Sequence, residues 1–266
     1  MHIVVCVKQV PNPEIAATQF RVDEAARRVA PLPGTALVMS PFDEQALEAA
    51  LRLRDGGLAA RITVLTLGPD SARSTLKHGL AMGADDAVLI PDAGCDPGNG
   101  HLTARVLAAA IQKMQADLVL AGRQAADWDA GVVGCGIAEL LHLPVVTFAR
   151  SVAVQDGSVR VERVVEDGLD VVEAVLPAVV TVSNELGKAR APSLRETMRA
   201  ARKPIATWSV TSLAIDAGAL ARDAARQVLE RLFIPAADNR CEFIGGETPE
   251  AQAANLVRRM RESKVL

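Results

Sequence analysis

The sequence predicts an α/β protein: an open, mostly parallel sheet with helices on both faces, an antiparallel hairpin, and a C-terminal arm. Three observations carry this. Through the first half of the chain, short apolar runs alternate with amphipathic stretches, the pattern of a parallel sheet covered on both sides. Past Pro144 two β-like runs flank Gln155-Asp156-Gly157-Ser158, and Asp-Gly between such runs signals a hairpin. After residue 235 comes a polar tail with a helix start of its own. The expected division is an α/β domain over 1–235 and an arm over 236–266.

The elements follow in order. Ile3 to Val7 reads as the first strand, broken by Pro11-Asn12-Pro13. Residues 14–40 read as irregular, with Arg21, Asp23, Glu24, Arg27 and Arg28 on a solvated hairpin. From Pro41 to about Arg54, Ala46, Leu47, Ala50, Leu51 and Leu53 recur at helical spacing, and Gly56-Gly57 ends the helix. Arg61 to Leu67 is a strand, and Pro69 opens the next helix, which closes at Gly83. Ala87 to Ile90 is a strand, His101 to Met114 a helix, and Leu118 to Ala121 a buried strand. The hairpin runs are Val145 to Val154 and Val159 to Val165, with Leu169 to Val175 as a third antiparallel strand. Ala178 to Val182 has core-strand composition. Pro192 to Arg202 reads as a short basic helix, Ile205 to Val210 as a strand, and Leu213 to Phe233 as largely helical. In the tail, Cys241 to Ile244 reads as a strand. Thr248 and Pro249 open a helix to about Ser263 as N-cap and first helical residue.

Composition narrows the function. The chain has 266 residues, half of them apolar, which is enough for a substantial core. Its net charge of −3 and 3% aromatic content, with no tyrosine, argue against nucleic acid as a partner. No apolar run is long enough for membrane insertion, and Met1 to Lys8 reads as a strand rather than a signal peptide, so a cytoplasmic location is expected. Cys6, Cys95, Cys135 and Cys241 are scattered, as are the four histidines, which leaves no metal-binding spacing. No nucleophile–base pair stands out, so no independent catalytic site is expected.

The most informative stretch is Gly122 to Leu141, which runs from the buried strand through small residues, two aspartates and three glycines into a helix. A loop from a strand's carboxyl end to a helix N-terminus is where open α/β sheets hold ligands, and free N–H groups there favour phosphate. This predicts a nucleotide phosphate near Ala130 to Gly134; a plain tight turn is the competing reading. The glycines do not match the dinucleotide fingerprint, and no Walker-type phosphate loop occurs anywhere.

With these elements in place, the chain resembles the beta subunit of electron transfer flavoproteins over essentially its whole length. The resemblance rests on Met1 to Pro11, Met39 to Leu53, Leu67 to Asp85, Gly122 to Pro144, Asn184 to Pro204 and the tail from Cys241, in that order. It implies the adenine nucleotide alpha hydrolase-like fold and pairing with an alpha subunit that holds or shares a redox FAD. This subunit would hold AMP, or a second FAD in electron-bifurcating relatives that take NADH as donor. Flavin-containing dehydrogenases, and a quinone oxidoreductase, would be the electron partners. A free-standing nucleotide-binding stress-type protein is a further alternative, against which Asn184 to Pro204, similar to the family's partner-recognition loop, and the long tail argue.

By position, the resemblance assigns the nucleotide site to Val7, Lys8 and Gln9 at the first strand's exit, Ser40 near the adenine, and the segment from Gln124 through Asp127, Asp129, Ala130, Gly131, Val132 and Val133 to Gly134 around the phosphates. Ser40 stands where the family usually has Asn. Gly131-Val132-Val133-Gly134 lacks both the Asn-x-Thr-Gly of AMP-binding members and the Thr-Ala-Gln-Val-Gly of bifurcating ones, so phosphate contacts here lean on backbone N–H groups. Asp129 is either the N-cap of the next helix or, like Asp127, a ribose or cation contact. Trp128 covers the site's edge. Phe42 either approaches the alpha-subunit flavin or packs at its helix start. Leu194 is the apolar docking anchor in the resemblance and otherwise an exposed leucine. Arg195, Arg199, Arg202 and Lys203 either steer an acidic partner or form a solvated face, and Ala191 replaces the family's aromatic before them.

Overall fold

A computed structural model describes residues 1–16, 19–30, 33–91, 98–236 and 241–266, and Cys95 lies outside these. The strands are β1 (His2–Cys6), β2 (Gln9–Pro11), β3 (Val22–Asp23), β4 (Arg28–Val29), β5 (Leu37–Met39), β6 (Arg61–Gly68), β7 (Asp86–Pro91), β8 (Leu118–Gly122), β9 (Val145–Gln155), β10 (Ser158–Val165), β11 (Gly168–Val175), β12 (Ala178–Val182) and β13 (Ala206–Thr207). The helices are α1 (Pro41–Asp55), α2 (Arg73–Met82), α3 (Gly100–Met114), α4 (Val133–Leu141), α5 (Leu194–Arg202), α6 (Ala217–Ala224) and α7 (Pro249–Glu262). The chain forms two compact units, Met1–Leu232 and Phe233–Leu266.

The first unit is built on a nine-stranded sheet in the order β11-β10-β9-β12-β8-β1-β6-β7-β13. From β9 to β13 every neighbouring pair is parallel, whereas β9, β10 and β11 are antiparallel. β2 with β5, and β3 with β4, form two small antiparallel sheets. Alternation along β1 shows how the sheet is covered. Ile3 and Val5 join one core with Leu47 and Leu51 of α1 and Leu76 of α2. Val4 and Cys6 face the other core, with Leu107 and Ile111 of α3 and Ile137 of α4. Side chains of a strand point alternately to opposite faces, so each central strand feeds both layers.

Parallel strands need crossovers, and the direction of these crossovers positions the site. From β1 the chain winds through α1 to β6 and on to β7; after α3 it returns to β8 on the opposite side of β1. The strand order therefore switches direction at β1, and a crevice opens beyond the carboxyl ends of β1 and β8.

Several boundaries differ from the expected ones. The helix that ends the Gly122 to Leu141 stretch, expected from Ile137 after the glycines, begins four residues earlier: α4 starts at Val133, with Gly134 and Gly136 inside it. A Cβ on Gly134 would lie 2.5 Å from Thr181 Cγ2, and one on Gly136 would lie 2.9 Å from Ala104 Cβ. These glycines bring α4 close to β12 and α3. The stretch from Leu213 is mostly not helical: a 3₁₀ turn covers Val210–Leu213, α6 spans only Ala217–Ala224, and the chain is irregular to Leu232. The reason is local. Ala214 turns left-handed, and Asp216 accepts from Gly218 N and Ala219 N to restart a helix. At its end the Asn99 amide takes the carbonyls of Asp223 and Ala224, both at 3.4 Å. Only Ala206–Thr207 of the expected strand from Ile205 pairs, with β7. Cys241 to Ile244 are not a strand, because no strand among the described residues pairs with them and an isolated strand leaves its backbone groups unpaired.

The hairpin turn is as the sequence predicts. Asp156 (φ 51°) and Gly157 (φ 79°) both take the left-handed conformation between β9 and β10, which suits the twist of a two-residue turn. Beyond β10, β11 is the sheet's edge, with Leu169, Val171 and Val175 exposed. Replacing Gly157 with Ala should cost about 1 kcal/mol, because a Cβ opposes the left-handed conformation, while Gly157→Asn should cost less. Urea unfolding midpoints of the two variants check this.

Candidate functional site

The crevice holds a cavity lined by four chain segments. These are the β1 exit from Cys6 to Gln9, the β6 exit at Gly68-Pro69, the β8 exit from Ala121 to Ala125, and the run from Ala130 to Gly134. Trp128, Asp43 of α1, Ala72 and, from α3, Gly100, Thr103 and Leu107 also line it. Of the residues assigned by the resemblance, Val7, Lys8, Gln9, Gln124 and Ala130 to Gly134 are thus brought together. Ser40, Phe42, Asp127 and Asp129 stand outside the lining.

The loop and helix are arranged for a negatively charged group. The first N–H groups of any helix have no intrahelical partner, and the N-cap of α4, Val132, offers no side chain to satisfy them. Those amides and the positive end of the helix dipole belong to the residues that line the cavity. Gly131 (φ 66°) makes the turn that leads in, and a Cβ there would come 3.3 Å from Arg123 O. Asp129 is not the N-cap of α4. It sits three residues too early, takes φ 49°, and its carboxylate accepts from Gln124 Nε2 at 2.9 Å.

Of the acids beside this site, Asp127 is paired with a cation of the same chain. Asp127 lies 2.8 Å from Lys8 Nζ, and it also accepts from Trp128 N at 3.0 Å. The side chain of Gln9, the first residue of β2, is tied to the turn before α2 and to the helix's first turn: its amide donates to Ser71 O at 2.9 Å and Ser74 Oγ at 3.0 Å, and accepts from Ser71 Oγ at 2.7 Å. Ser40 is fully buried, its amide donates to Lys8 O, and its hydroxyl has no hydrogen-bond partner among the described residues.

The central group was not anticipated. Asp43, 6% exposed in the first turn of α1, accepts from Lys8 N at 2.8 Å and Gly122 N at 3.1 Å. One carboxylate thereby ties the ends of β1 and β8 together. Burial pushes its pKa up to about 7, against the lowering effect of the two amide hydrogen bonds and of Lys8. Burial likewise pushes the Cys6 thiol up to about 12, so Cys6 behaves as a small core residue. Acidic residues in a first helical turn are common on helix surfaces, and no spacing in the sequence separates a buried one from these. Gly122 is the counterpart: a Cβ there would lie 2.6 Å from Asp43 Oδ1 and 2.9 Å from the Phe42 carbonyl carbon. Arg123, also not anticipated, lies between the rings of Phe42 and Phe148, 5.2 and 5.9 Å from their centres, within the range of cation–π attraction.

A second feature lies away from the cavity. α5 opens with a capping box: Ser193 Oγ accepts from Glu196 N, and Glu196 Oε2 accepts from Ser193 N at 2.7 Å. Those bonds hold the Glu196 carboxyl below its ordinary range. Leu194 is 78% exposed and shares its surface with Met198, Arg195, Arg199 and Arg202. The loop before α5 is fastened by Arg190, whose guanidinium reaches Glu48 and Asp55, each at 2.7 Å. Burial works to raise the Glu48 carboxyl, but hydrogen bonds from Arg190 and Arg52 outweigh it and lower it.

Among the described residues no group of three or more His, Cys, Asp or Glu could hold a metal ion, and no helix is long and apolar enough to cross a membrane. An α/β sheet with a ligand crevice at its switch point defines a class of ligand-binding domains, and comparison with known proteins narrows it. The family model described as the electron transfer flavoprotein domain matches residues 34–213. The caffeyl-CoA reductase-Etf complex subunit CarD of Acetobacterium woodii is 35% identical over 267 residues, covering all of both chains. The electron transfer flavoprotein subunit beta of Megasphaera elsdenii is 36% identical over 242 residues, 88% of each chain. The protein FixA of Bradyrhizobium diazoefficiens is 36% identical over 264 residues, 95% of this chain and 89% of its own. The chain belongs to the electron transfer flavoprotein family, among its beta subunits.

The position of Asp43 makes stability depend on pH. Between about 4 and 7 the folded protein keeps a proton that the unfolded chain, with its carboxyl near 3.8, has released. This contribution is complete below the unfolded value and is lost as pH rises through 7, with a slope approaching about 1.4 kcal/mol per pH unit. The difference in unfolding free energy between wild type and Asp43→Asn, measured by urea titration from pH 4 to 8, should show that slope below 7 and flatten above it.

Proposed function

We propose that this chain is the beta subunit of a heterodimeric electron transfer flavoprotein of the cytoplasm. In this reading it binds AMP in the cavity, helps position the FAD of an alpha subunit, and presents α5 to flavin dehydrogenases. The observation that carries the nucleotide assignment is the uncapped N-terminus of α4 at the cavity wall, with the nearby acids occupied by Lys8 and Gln124. A phosphate would be held by the amides of Val133, Gly134 and their neighbours, not by the Asn or Thr side chains usual in the family. FAD, when bound to the complex, supplies the redox chemistry.

The residues of this chain do the positioning. Asp43 fixes the strand ends beside the nucleotide. Phe42, packed between Gly122 and the Arg123 guanidinium, presents a rigid aromatic edge toward the partner's flavin. Leu194 is the apolar anchor for a dehydrogenase, and the arginines around it steer an acidic surface. The unit Phe233–Leu266 packs on the alpha subunit. A quinone oxidoreductase is the further electron partner of such a complex.

The test is co-expression with an alpha subunit and identification of the released cofactors. One FAD and one AMP per heterodimer is the expected result; two FAD and no AMP would make the complex a bifurcating one, with NADH as donor. Gly131→Val should lose AMP while FAD stays, and retention of a full equivalent of AMP would defeat the phosphate-loop assignment. Leu194→Ala should slow electron transfer with a flavin dehydrogenase at least about fivefold, the effect of losing an interface anchor, with bound FAD unchanged. An unaltered rate in stopped-flow reduction would defeat the docking assignment.

A further inference from the structure

α5 is held to the rest of the domain by very little apolar surface. Ala200 is its one buried side chain, while Leu194 and Met198 point outward. Its orientation therefore depends on how its two ends are tied. The N-terminal end closes on itself through Ser193 and Glu196. The C-terminal end cannot do so, because the last carbonyls of a helix have no intrahelical partner and the chain leaves in an extended conformation at Lys203.

Those carbonyls converge on one side chain from another helix. Lys77, in the middle of α2, donates from Nζ to Ala200 O at 3.1 Å, to Ala201 O at 2.9 Å and to Lys203 O. An ammonium has three donors, and here all three go to the end of α5, where a positive charge also matches the helix dipole. The arrangement is reciprocal: Lys203 Nζ donates at 2.8 Å to Ala84 O, just past the end of α2. Arg73 of α2 adds a bond to Thr207 Oγ1 at 3.0 Å. The 3₁₀ turn Asp70–Ala72 that leads into α2 meets the cavity: Pro69 and Ala72 line it, and Gln9 holds Ser71 in the turn and Ser74 in the helix. The 3₁₀ turn and α2, which follows it directly, thus connect the cavity wall to the end of α5.

We infer that Lys77 is a positioning residue for electron transfer: its ammonium sets the orientation of the docking helix relative to the cavity through α2. The inference rests on α5 being the docking element. Three carbonyls approaching one nitrogen from different directions suit an ammonium, whereas the planar fork of arginine aligns its donors in one plane.

The test is hydrogen exchange by mass spectrometry on the heterodimer with its alpha subunit. Lys77→Met keeps most of the stem and removes the donors. It should speed amide exchange over residues 194–203 about fivefold, the effect of losing one charge–dipole contact. Peptides from β1 and β8, and the FAD content, should stay at wild-type values. Lys77→Gln, which keeps two donors on one nitrogen, should fall in between, and it provides the same reading if the methionine variant does not assemble. Unchanged exchange over 194–203 overturns the inference. Acceleration spread evenly over the domain also overturns it, because Lys77 would then support the fold as a whole. In stopped-flow transfer the methionine variant should show weaker dehydrogenase binding with an unchanged limiting rate. If Leu194→Ala leaves transfer unaltered while the exchange result holds, the docking reading fails and Lys77 remains the anchor of α5.

Discussion

One buried carboxylate holds the cavity together. Asp43 takes amide hydrogens from Lys8 and Gly122, the residues at which β1 and β8 give way to loops. Neighbouring parallel strands are paired along their length, but beyond their last bond the chains diverge, and here they diverge around a void. An acceptor inserted at that point fixes where each loop starts. It also places a hydrogen-bond acceptor in the first turn of α1. The arrangement allows no atom at Gly122 beyond hydrogen, which links three segments far apart in sequence. The loop of Gln124 to Gly134, the β1 exit and α1 all take their places from it.

The same economy governs charge. Two acids next to the proposed phosphate position would repel that ligand if left bare, and both have partners: Asp127 on Lys8 and Asp129 on the Gln124 amide. From α4 the cavity is lined by Val133 and Gly134, whose first-turn amides have no intrahelical partner. Binding through amides that the fold already holds in place needs little rearrangement, which is how a loop lacking the family's usual Asn and Thr can still present donors. Asp43, whose burial favours its protonated form near neutrality, adds less repulsion than a surface carboxylate would.

Much of this was legible in the sequence because periodicity and turn chemistry report directly on backbone. The alternating strands and helices, the Asp156-Gly157 turn and the crevice beyond Leu118 to Ala121 all follow from local pattern. Where tertiary contacts decide, local pattern misleads. Gly134 and Gly136 read as loop glycines but lie in α4, because Thr181 and Ala104 leave no room for a side chain. Leu213 to Phe233 has helical composition, yet Asn99, more than a hundred residues away, takes the carbonyls at which α6 ends. Asp43 and Lys77 look like ordinary charged residues on amphipathic helices. Their roles depend on Gly122 and on the end of α5, and no spacing along the chain announces those contacts.

The sheet's outer strand has a consequence for the subunit made on its own. β11 offers eight residues of backbone along an edge with no neighbouring strand among the described residues, and Leu169, Val171 and Val175 are exposed on it. An apolar edge of this kind is a template for other strands, the usual beginning of aggregation. Asp170 and Glu173 stand on the same strand, with Glu166 and Asp167 in the turn before it. Two copies meeting edge to edge would bring these carboxylates together, so repulsion between like charges opposes self-association at neutral pH. That protection weakens as the charges are screened by salt, so high-salt buffers favour edge-to-edge association of the isolated chain.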